Sequence, residues 1–242
     1  MNNEKQADNL IDVSVVMPCL NEEPTVGLCV DEALEFLHRR NLTGEVIVVD
    51  NGSTDGSAFA AVEHGARVVP EQRRGYGRAI RTGLEASRGR VIVLGDCDTT
   101  YDFLHMEGIV QPLLRGSYDV MIGDRFAGQM EDGAMPLSHR LGVPLLSFAG
   151  RVKFHVDVHD FHCGIRGVRR EALEQMEFRT DGMEFATEFI AEAARCHLRI
   201  GQTSVPLRRC TFERKPKLRT VRDGVRHMRY IVGAGRKWLI EK

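Results

Sequence analysis

The stretch VSVVMPCLNEE, residues 13–23, decides the fold because an apolar run passes directly into polar side chains. Residues 13–17 predict a short buried strand, which ends at Pro18. The residues that follow predict a helix with Thr25 as its N-cap. Its apolar side chains recur at helical spacing, at Val26, Val30, Ala33, Leu34 and Leu37. A buried strand followed by an amphipathic helix is typical of an α/β fold.

The same alternation continues along the chain. Apolar runs predict further strands at residues 45–49, 66–69, 91–94 and 118–122, and a helix is predicted over residues 78–87. Strands separated by helices in this order form βαβ units, whose strands are parallel. The predicted fold class is therefore α/β, a single domain with a Rossmann-like, mainly parallel central sheet flanked by helices.

The composition is that of an ordinary globular protein and excludes several classes. The 242 residues include 33 Lys and Arg against 34 Asp and Glu, so no excess of basic charge indicates a nucleic-acid-binding protein. The six cysteines form no CxxC pair, which favours reduced thiols over disulfides or a zinc site. No apolar run reaches the ~18 residues of a membrane span, and the polar N-terminus is unlike a signal peptide. A cytoplasmic protein is expected, held at most peripherally at the inner face of a membrane.

The strand ends carry the candidate chemistry, because α/β sheets bind ligands at the carboxyl ends of their strands. Asp96-Cys97-Asp98 follows the strand at residues 91–94, and two carboxylates one residue apart can both reach one Mg²⁺ or Mn²⁺ ion. Asp50, at the end of another strand, can accept hydrogen bonds from a ribose or a base. The alternative is a turn with solvated acids.

Two known phosphate-binding fingerprints are absent from the sequence. Gly75-Tyr76-Gly77 is the glycine-rich candidate for a dinucleotide loop, and Ile80 stands where the third glycine belongs. No GxxxxGKS or GxxxxGKT sequence of a P-loop occurs. A nucleotide site without either fingerprint indicates phosphates bridged by a metal ion.

Segments spread along the chain together resemble the family 2 glycosyltransferases of the GT-A fold, and among them the polyprenyl- and dolichol-phosphate sugar (mannose or glucose) synthases. They are VSVVMPCLNEE (13–23), GEVIVVDNGSTDGS (44–57), RGYGRAIRTG (74–83), VIVLGDCDTTYDF (91–103), GDRF (123–126), MPLSHRLG (135–142), DFHCGIRG (160–167) and GMEFATE (182–188). The resemblance extends from Val13 to about Arg229. Several motifs in the family's order are far more specific than any one of them.

The resemblance implies which residues form the site. The donor, a nucleoside-diphosphate sugar such as a UDP- or GDP-hexose, is expected to contact Pro18, Leu20, Asn21, Glu22, Asp50, Gly75, Arg78, Asp96, Cys97 and Asp98. Asp96 and Asp98 are expected to hold Mg²⁺ or Mn²⁺, with Asp98 as the principal ligand. Arg125, Arg166 and Arg208 are candidates for phosphate contacts, because the planar guanidinium suits phosphate oxygens.

The implied reaction is metal-dependent, inverting transfer of a hexose to a polyprenyl- or dolichyl-phosphate acceptor, whose ionised phosphate needs no strong base. The rival is a soluble enzyme that glycosylates a hydroxyl of a small-molecule, secondary-metabolite acceptor. That reaction needs a base, and Asp160 and Glu184 are the catalytic candidates for it, beside the metal ligand Asp98. The tail sequence ERKPKL at residues 213–218 departs from a serine-lysine pair that related enzymes often carry there.

Two further functions stay open from other classes of protein. A nucleotidyltransferase would carry a glycine-rich, basic loop after the first strand, whereas residues 18–22 are acidic. A nucleotide-sugar binding or regulatory module would lack the metal carboxylates, and Asp96 and Asp98 are both present. Near the candidate base, Glu184, Glu188 and Glu192 recur every four residues, which predicts a solvated helical face with Glu184 as the favoured site residue.

Three segments are predicted: a flexible N-terminus at residues 1–10, a glycosyltransferase catalytic domain at 11–210 and a basic C-terminal segment at 211–242. The last contains an amphipathic helix, which can lie on an anionic membrane surface or pack on the domain. Its apolar residues are Val221, Val225, Met228 and Val232. The expected partners are the sugar donor and a lipid-phosphate or small-molecule acceptor, with no nucleic acid; peripheral membrane contact and a homodimer are left open.

Overall fold

A seven-stranded sheet runs through the described part of the chain, which comprises residues 11–210, 212 and 220–233 of a computed structural model. Its strands are β1 (Ile11–Cys19), β2 (Gly44–Asp50), β3 (Arg67–Pro70), β4 (Gly89–Leu94), β5 (Val120–Asp124), β6 (Arg166–Arg169) and β7 (Ile200–Ser204). The α-helices are α1 (Glu23–Arg39), α2 (Ser57–Glu63), α3 (Tyr76–Ala86), α4 (Glu107–Leu114), α5 (Leu137–Phe154), α6 (Arg170–Leu173), α7 (Phe185–Arg195) and α8 (Thr220–Gly233). The predicted flexible N-terminus and tail residues 213–219 lie outside the described residues.

The strand order is β3-β2-β1-β4-β6-β5-β7. Strands β3, β2, β1 and β4 are parallel neighbours, and β5 pairs in parallel with β7. Strand β6 runs antiparallel to both β4 and β5. The predicted α/β class and the mainly parallel sheet are confirmed, and β6 is the exception. It escaped prediction because RGVR is short and has arginine at both ends.

The core lies on both faces of β1, β2 and β4. Val15, Val16 and Met17 have no exposed surface, and the apolar residues of β2 and β4 are equally buried. Parallel strands covered by helices on both faces read as continuous apolar runs rather than as alternating ones. This is why the sequence predicts these three strands well.

Helix α1 begins earlier than its sequence predicts. Thr25 is not the N-cap, because the helix starts at Glu23 with Pro24 in its first turn, a position that suits the fixed φ of proline. The Thr25 side chain is buried within the helix, and its hydroxyl donates to the carbonyl oxygen of Cys97 at 2.8 Å. The residue thus ties α1 to the loop after β4.

Helix lengths and hydropathy bear on membrane crossing. Within residues 11–210 and 220–233, no helix combines the length and apolarity that crossing a bilayer requires. The longest helix is α5, with 18 residues.

Candidate functional site

The carboxyl ends of β1, β2, β3 and β4 meet at one edge of the sheet, where Pro70 of β3 lies opposite Asp50 of β2. Cys19 lies opposite Asp50 in the β1–β2 pairing, and Val16 lies opposite Leu94 in the β1–β4 pairing. The loops that leave these strands therefore begin side by side. They carry most of the predicted donor-binding residues, and we call residues 18–22, 50–57, 71–78 and 95–100 the strand-end loops.

The first two strand-end loops are joined through Asn21. Its side-chain oxygen accepts a hydrogen bond from the Thr54 amide at 2.8 Å, and its own amide donates to Ser53 Oγ at 3.0 Å. Asp50 Oδ1 accepts from the Ser53 amide at 2.9 Å. Asn21 has φ of 52°, a left-handed conformation that asparagine adopts more easily than most residues. These bonds hold Asn21 and Asp50 in one rigid unit.

Asn51 braces the third loop, a role that the sequence did not reveal. Its buried amide donates to the carbonyl oxygens of Glu71 at 3.0 Å and Arg73 at 2.9 Å, and its Oδ1 accepts from the Gly75 amide at 2.8 Å. A Cβ at Gly75 would collide with the carbonyl oxygen of Asp181. Glycine is therefore required at position 75 because the protein's own backbone, at Asp181, packs closely against it.

Arg78, a predicted phosphate neighbour, forms an ion pair with Glu71 at 2.9 Å. The pKa of Glu71 is lowered to about 2 by a hydrogen bond from the Thr82 hydroxyl, by the Arg73 amide and by Arg78 itself. Glu71 is therefore ionised at neutral pH. The pair fixes Arg78 at the start of α3, below the loop at residues 71–75.

The carboxylate of Asp98 is oriented by the residues after it. Its Oδ1 accepts from the amide of Thr100 at 3.0 Å and from the Thr100 hydroxyl. Between them, Thr99 has φ of 64°, which is unfavourable for a β-branched residue and costs on the order of 1–3 kcal/mol. Such strained positions cluster at binding and catalytic sites. The loop therefore holds Asp98 in a specific orientation at the cost of backbone strain.

Asp96 contacts both the glycine-rich loop and the segment before β6. The Tyr76 hydroxyl forms a hydrogen bond with it, and burial, followed by the Asp96 charge, raises the pKa of Tyr76 well above its ordinary value. The hydroxyl therefore stays protonated and donates to the carboxylate. On the other side, a Cβ at Gly164 would collide with Asp96 Oδ2. Any residue other than glycine at position 164 would therefore displace the Asp96 carboxylate.

The donor set at Asp96 and Asp98 fits a hard divalent cation. Both residues offer carboxylate oxygens, the ligands that Mg²⁺ and Mn²⁺ prefer, and Asp98 is buried at the strand end. In the described ranges, 11–210 and 220–233, no group of three or more His, Cys, Asp or Glu side chains is arranged to hold a metal. Two carboxylates completed by substrate phosphates are a common Mg²⁺ arrangement.

Arg125 and Asp160 form a buried ion pair beyond the strand-end loops. Arg125 Nε and an Nη donate to the two Asp160 oxygens at 2.6 and 2.8 Å, and Asp160 has no exposed surface. The carboxylate also accepts from the His162 amide at 3.2 Å. Both residues were predicted for the site, one for phosphate and one as a base. The structure brings them together as a bidentate pair.

The other two predicted phosphate ligands also contact protein groups. Arg166 is buried and donates to the carbonyl oxygens of Cys163 and Ala186. Arg208 pairs with Glu32 and Asp102, each at 2.7 Å. The Arg208 amide donates to the Thr100 carbonyl at 3.0 Å, so this residue flanks the loop that holds Asp98.

His162 and His227 form a contact that sequence reasoning missed. Their rings meet edge to face at 4.3 Å, and His227 Nδ1 lies 2.8 Å from the Thr187 hydroxyl. Both ring nitrogens of His162 are buried and have no hydrogen-bond partner among the described residues. Burial, and then the His227 charge, lowers the pKa of His162 well below its ordinary value. His162 is therefore neutral at physiological pH.

Glu184 lies beside helix α8. Its Oε2 is 3.2 Å from Arg226 Nε, and the carboxylate is largely buried. The predicted solvated face of glutamates is wrong, because Glu188 is buried and accepts hydrogen bonds from the amides of Arg179 and Thr180, each at 2.9 Å. The loop before α7 folds back over this helix face and covers it.

The 160–164 segment connects the Arg125–Asp160 ion pair to the loop that carries Asp96 and Asp98. It begins at Asp160, which binds Arg125, passes His162 and ends at Gly164, which is packed against Asp96. Tyr101 lies between them, and its hydroxyl accepts from the Gly164 amide at 2.7 Å. The metal-suited loop and the Arg125–Asp160 pair are therefore linked by one five-residue segment of the chain.

Comparison with known proteins identifies the class. Residues 14–177 match the family described as glycosyl transferase family 2, and the chain belongs to that family. It is 37% identical over 221 residues to the low-salt glycan biosynthesis hexosyltransferase Agl6 of Haloferax volcanii, covering 91% of this chain and 53% of that protein. It therefore spans about half the length of that relative. A dolichyl-phosphate hexose transferase of the same organism is 32% identical over 206 residues, with 84% and 86% covered.

Solved structures confirm the GT-A fold. Glucosyl-3-phosphoglycerate synthase from Mycobacterium tuberculosis, in complex with Mn²⁺, uridine-diphosphate-glucose and phosphoglyceric acid, superposes with a TM-score of 0.75 at 25% identity. The match covers 95% of this chain and 81% of that one. The predicted family and fold are both confirmed by these comparisons.

Proposed function

We propose that the chain is an inverting, metal-dependent hexosyltransferase that moves a sugar from a nucleoside-diphosphate hexose to a polyprenyl- or dolichyl-phosphate-type acceptor. The observation that carries the proposal is the packing of Gly164 against Asp96, which joins the metal-suited loop to the Arg125–Asp160 pair. An anionic donor bridged by a metal fits the strand-end loops, and we assign the acceptor phosphate to the Arg125 side, where it would compete with Asp160 for the guanidinium. The relative named for dolichyl-phosphate hexose transfer supports the acceptor class.

The strand-end loops are the proposed donor site. We assign to Asp50 and Asn21, which bind the Ser53 and Thr54 amides, the role of accepting hydrogen bonds from the nucleoside. Asp96 and Asp98 would hold a divalent ion, whose positive charge would offset the charge that develops on the departing nucleoside diphosphate. The Tyr76 hydroxyl donates to the Asp96 carboxylate and so restricts its rotation.

The proposed transfer is a single displacement. An acceptor phosphate oxygen attacks the anomeric carbon on the face opposite the leaving group, and the new C–O bond forms there. The bond to the nucleoside diphosphate breaks, and its electron pair leaves with the diphosphate, so the anomeric configuration inverts. A phosphate oxygen is already ionised and needs no base. Asp160 and Glu184, which both contact arginines, are then positioning residues.

A second candidate is transfer to a soluble, phosphorylated small molecule. The observation that favours it is the similarity to glucosyl-3-phosphoglycerate synthase, whose structure contains phosphoglyceric acid. That acceptor reacts through a hydroxyl, so a base must remove a proton. Asp160 and Glu184 remain the residues proposed for this role, and either must then leave its arginine during the reaction.

Thermal-shift measurements with UDP-, GDP- and dTDP-sugars, with and without Mn²⁺ or Mg²⁺, test the donor site. A ligand at a hundredfold excess over its Kd stabilises the native state by ~2.7 kcal/mol. We expect a metal-dependent shift with one nucleotide, followed by transfer to polyprenyl phosphate in detergent. Transfer to phosphoglycerate alone would establish the second candidate. A shift without transfer to either acceptor would leave a binding module, and no shift or transfer would contradict the proposal.

A further inference from the structure

Helix α5 presents an apolar face to solvent. Five large apolar side chains on it are more than half exposed, at Leu137, Leu141, Leu145, Phe148 and Val152. At 100° per residue these positions span an arc of about 80°, so they form one continuous row along the helix. Contiguous apolar surfaces of this kind mark interaction sites in folded proteins. We call these five residues the α5 face.

The orientation of α5 is fixed by its opposite side. Ser147 is buried, and its hydroxyl accepts from the Phe161 amide at 3.1 Å. A Cβ at Gly150 would lie 2.6 Å from the Phe161 ring, so glycine permits this close packing. An ordinary surface helix turns its large apolar residues inward. Here only Ser147, Gly150 and, at the end of the helix, Phe154 are buried against the domain, while five large apolar residues face out, which indicates that the α5 face has an occupant.

The charged side chains around the α5 face indicate what binds to it. Helix α5 contains Arg140, Arg151 and Lys153 and has no Asp or Glu; Arg151 pairs with Asp157 of the segment that follows the helix. Its neighbour α8 packs against it and exposes Val225, Met228 and Val232 beside Arg222 and Arg229. An apolar row flanked by basic residues is complementary to an anionic lipid surface. A second copy of the chain would bring like charges together, which disfavours it.

We infer that the α5 face lies in the interfacial layer of an anionic lipid bilayer, with the apolar row inserted among the acyl chains. The inference deepens the proposed function, on which it rests for the acceptor, because a lipid phosphate lies in the same bilayer. Helix α5 also reaches the candidate site. His139 is close enough to Arg125 for that charge to lower its pKa, after burial as the larger cause. Docking through α5 thus brings the lipid surface toward Arg125.

Vesicle flotation of the full chain, without donor or acceptor, tests the inference. The chain should float with phosphatidylcholine vesicles that contain phosphatidylglycerol, and less in high salt, because salt screens charge attraction. Leu141→Glu and Phe148→Glu should each lower the partition coefficient on the order of tenfold, since each removes a buried apolar group. Phe59→Glu on α2 is the matched control, because Phe59 is 71% exposed and Phe148 is 60% exposed. This control should float as the wild type does.

Two outcomes would overturn the inference. One is equal flotation of the wild type, Leu141→Glu and Phe148→Glu, or no flotation of any of them. The other is a dimer by light scattering that Leu141→Glu converts to a monomer, without vesicle binding, which would assign the face to a second copy. Donor binding by thermal shift should be unchanged in these variants. A failure of the wild type to bind any donor would contradict the proposed function and leave the flotation result standing.

Discussion

The strand-end loops and the 160–164 segment both carry ionisable side chains, but they hold them in different ways. In the strand-end loops, backbone amides and hydroxyls from neighbouring residues orient Asp50 and Asp98. In the 160–164 segment, Asp160 faces the guanidinium of Arg125 and has no exposed surface. A carboxylate oriented by neutral donors keeps its negative charge available to a cation. A carboxylate opposite an arginine has its charge offset already, so its first contribution is to the fold.

Replacement of Asp98 tests the catalytic side of this comparison and should have the largest effect. Asp98 is the proposed principal metal ligand, and its loss would remove charge stabilisation from the leaving group, so Asp98→Ala should lower kcat on the order of 10³-fold. The melting temperature should change little, because the fold of the loop rests on many other contacts. Activity assays across a Mn²⁺ titration, beside circular dichroism, would measure both. Asp181→Ala, at an exposed carboxylate, is the control.

If Asp98→Ala keeps wild-type turnover, the assignment of a catalytic metal to this loop is wrong. A drop in melting temperature as large as that of a core variant would show that the carboxylate is structural, and the contrast between the two regions would then disappear.

Replacement of Asp160 should show the reverse pattern. Asp160→Asn leaves Arg125 buried without a countercharge, and breaking a buried pair in this way costs ~3–5 kcal/mol. The free energy of unfolding in urea should fall by that amount. The double variant Arg125→Met/Asp160→Leu should recover most of the loss, because no buried charge remains. If Asp160→Asn is as stable as the wild type and only kcat falls, Asp160 is a base rather than a partner of Arg125.

The same contrast explains what the sequence predicted. Strands β1, β2 and β4 are continuous apolar runs, and their polar ends read directly as candidate site residues. The metal pair proposed at Asp96 and Asp98 could be predicted because its spacing is local. Family membership and fold were predicted from motifs of this kind, and the comparisons confirmed them.

Roles that depend on contacts between residues far apart in the chain could not be predicted from the sequence. The stripe of Glu184, Glu188 and Glu192 predicted a solvated face, yet the loop carrying Arg179 and Thr180 covers Glu188. The partner of Arg125 is 35 residues away in sequence, and the contact of His162 with His227 joins two distant segments. A helical spacing gives the side of a helix but not what packs on it. Burial of a charge is decided by tertiary structure, which local patterns do not contain.

The pH dependence of stability should report the His162–His227 contact. Burial lowers the pKa of His227 from 6.5 to about 4, with Arg166 and Arg226 acting in the same direction and Asp223 against it. The unfolded chain therefore binds more protons than the folded one between pH ~4 and ~6.5, so stability rises with pH across this window. At 1.36 kcal/mol per pH unit the contribution is at most roughly 3 kcal/mol.

Melting temperatures measured from pH 4 to 8 would show this slope, and His227→Gln should reduce it, while the buried His162 keeps part of it. His155→Gln, at an exposed histidine in the turn after α5, should leave the slope unchanged. An identical slope in wild type and His227→Gln would mean that other groups cause the acid sensitivity, and that α8 is not held through this histidine.

The smallest effect is expected at the Glu184–Arg226 pair. Arg226 is 41% exposed, and partly solvated pairs contribute only ~0–1 kcal/mol, so Glu184→Gln and Arg226→Ala should each cost less than about 1 kcal/mol of stability. With a phosphate acceptor both variants should retain turnover, because neither residue moves a proton. A base behaves differently, since its loss lowers the rate ~10²–10⁴-fold. If Glu184→Gln loses turnover on a hydroxyl acceptor while Arg226→Ala keeps it, Glu184 separates from its arginine during the reaction. Glu184 would then be a catalytic carboxylate like Asp98. Asp160 alone would remain a carboxylate that acts through its arginine.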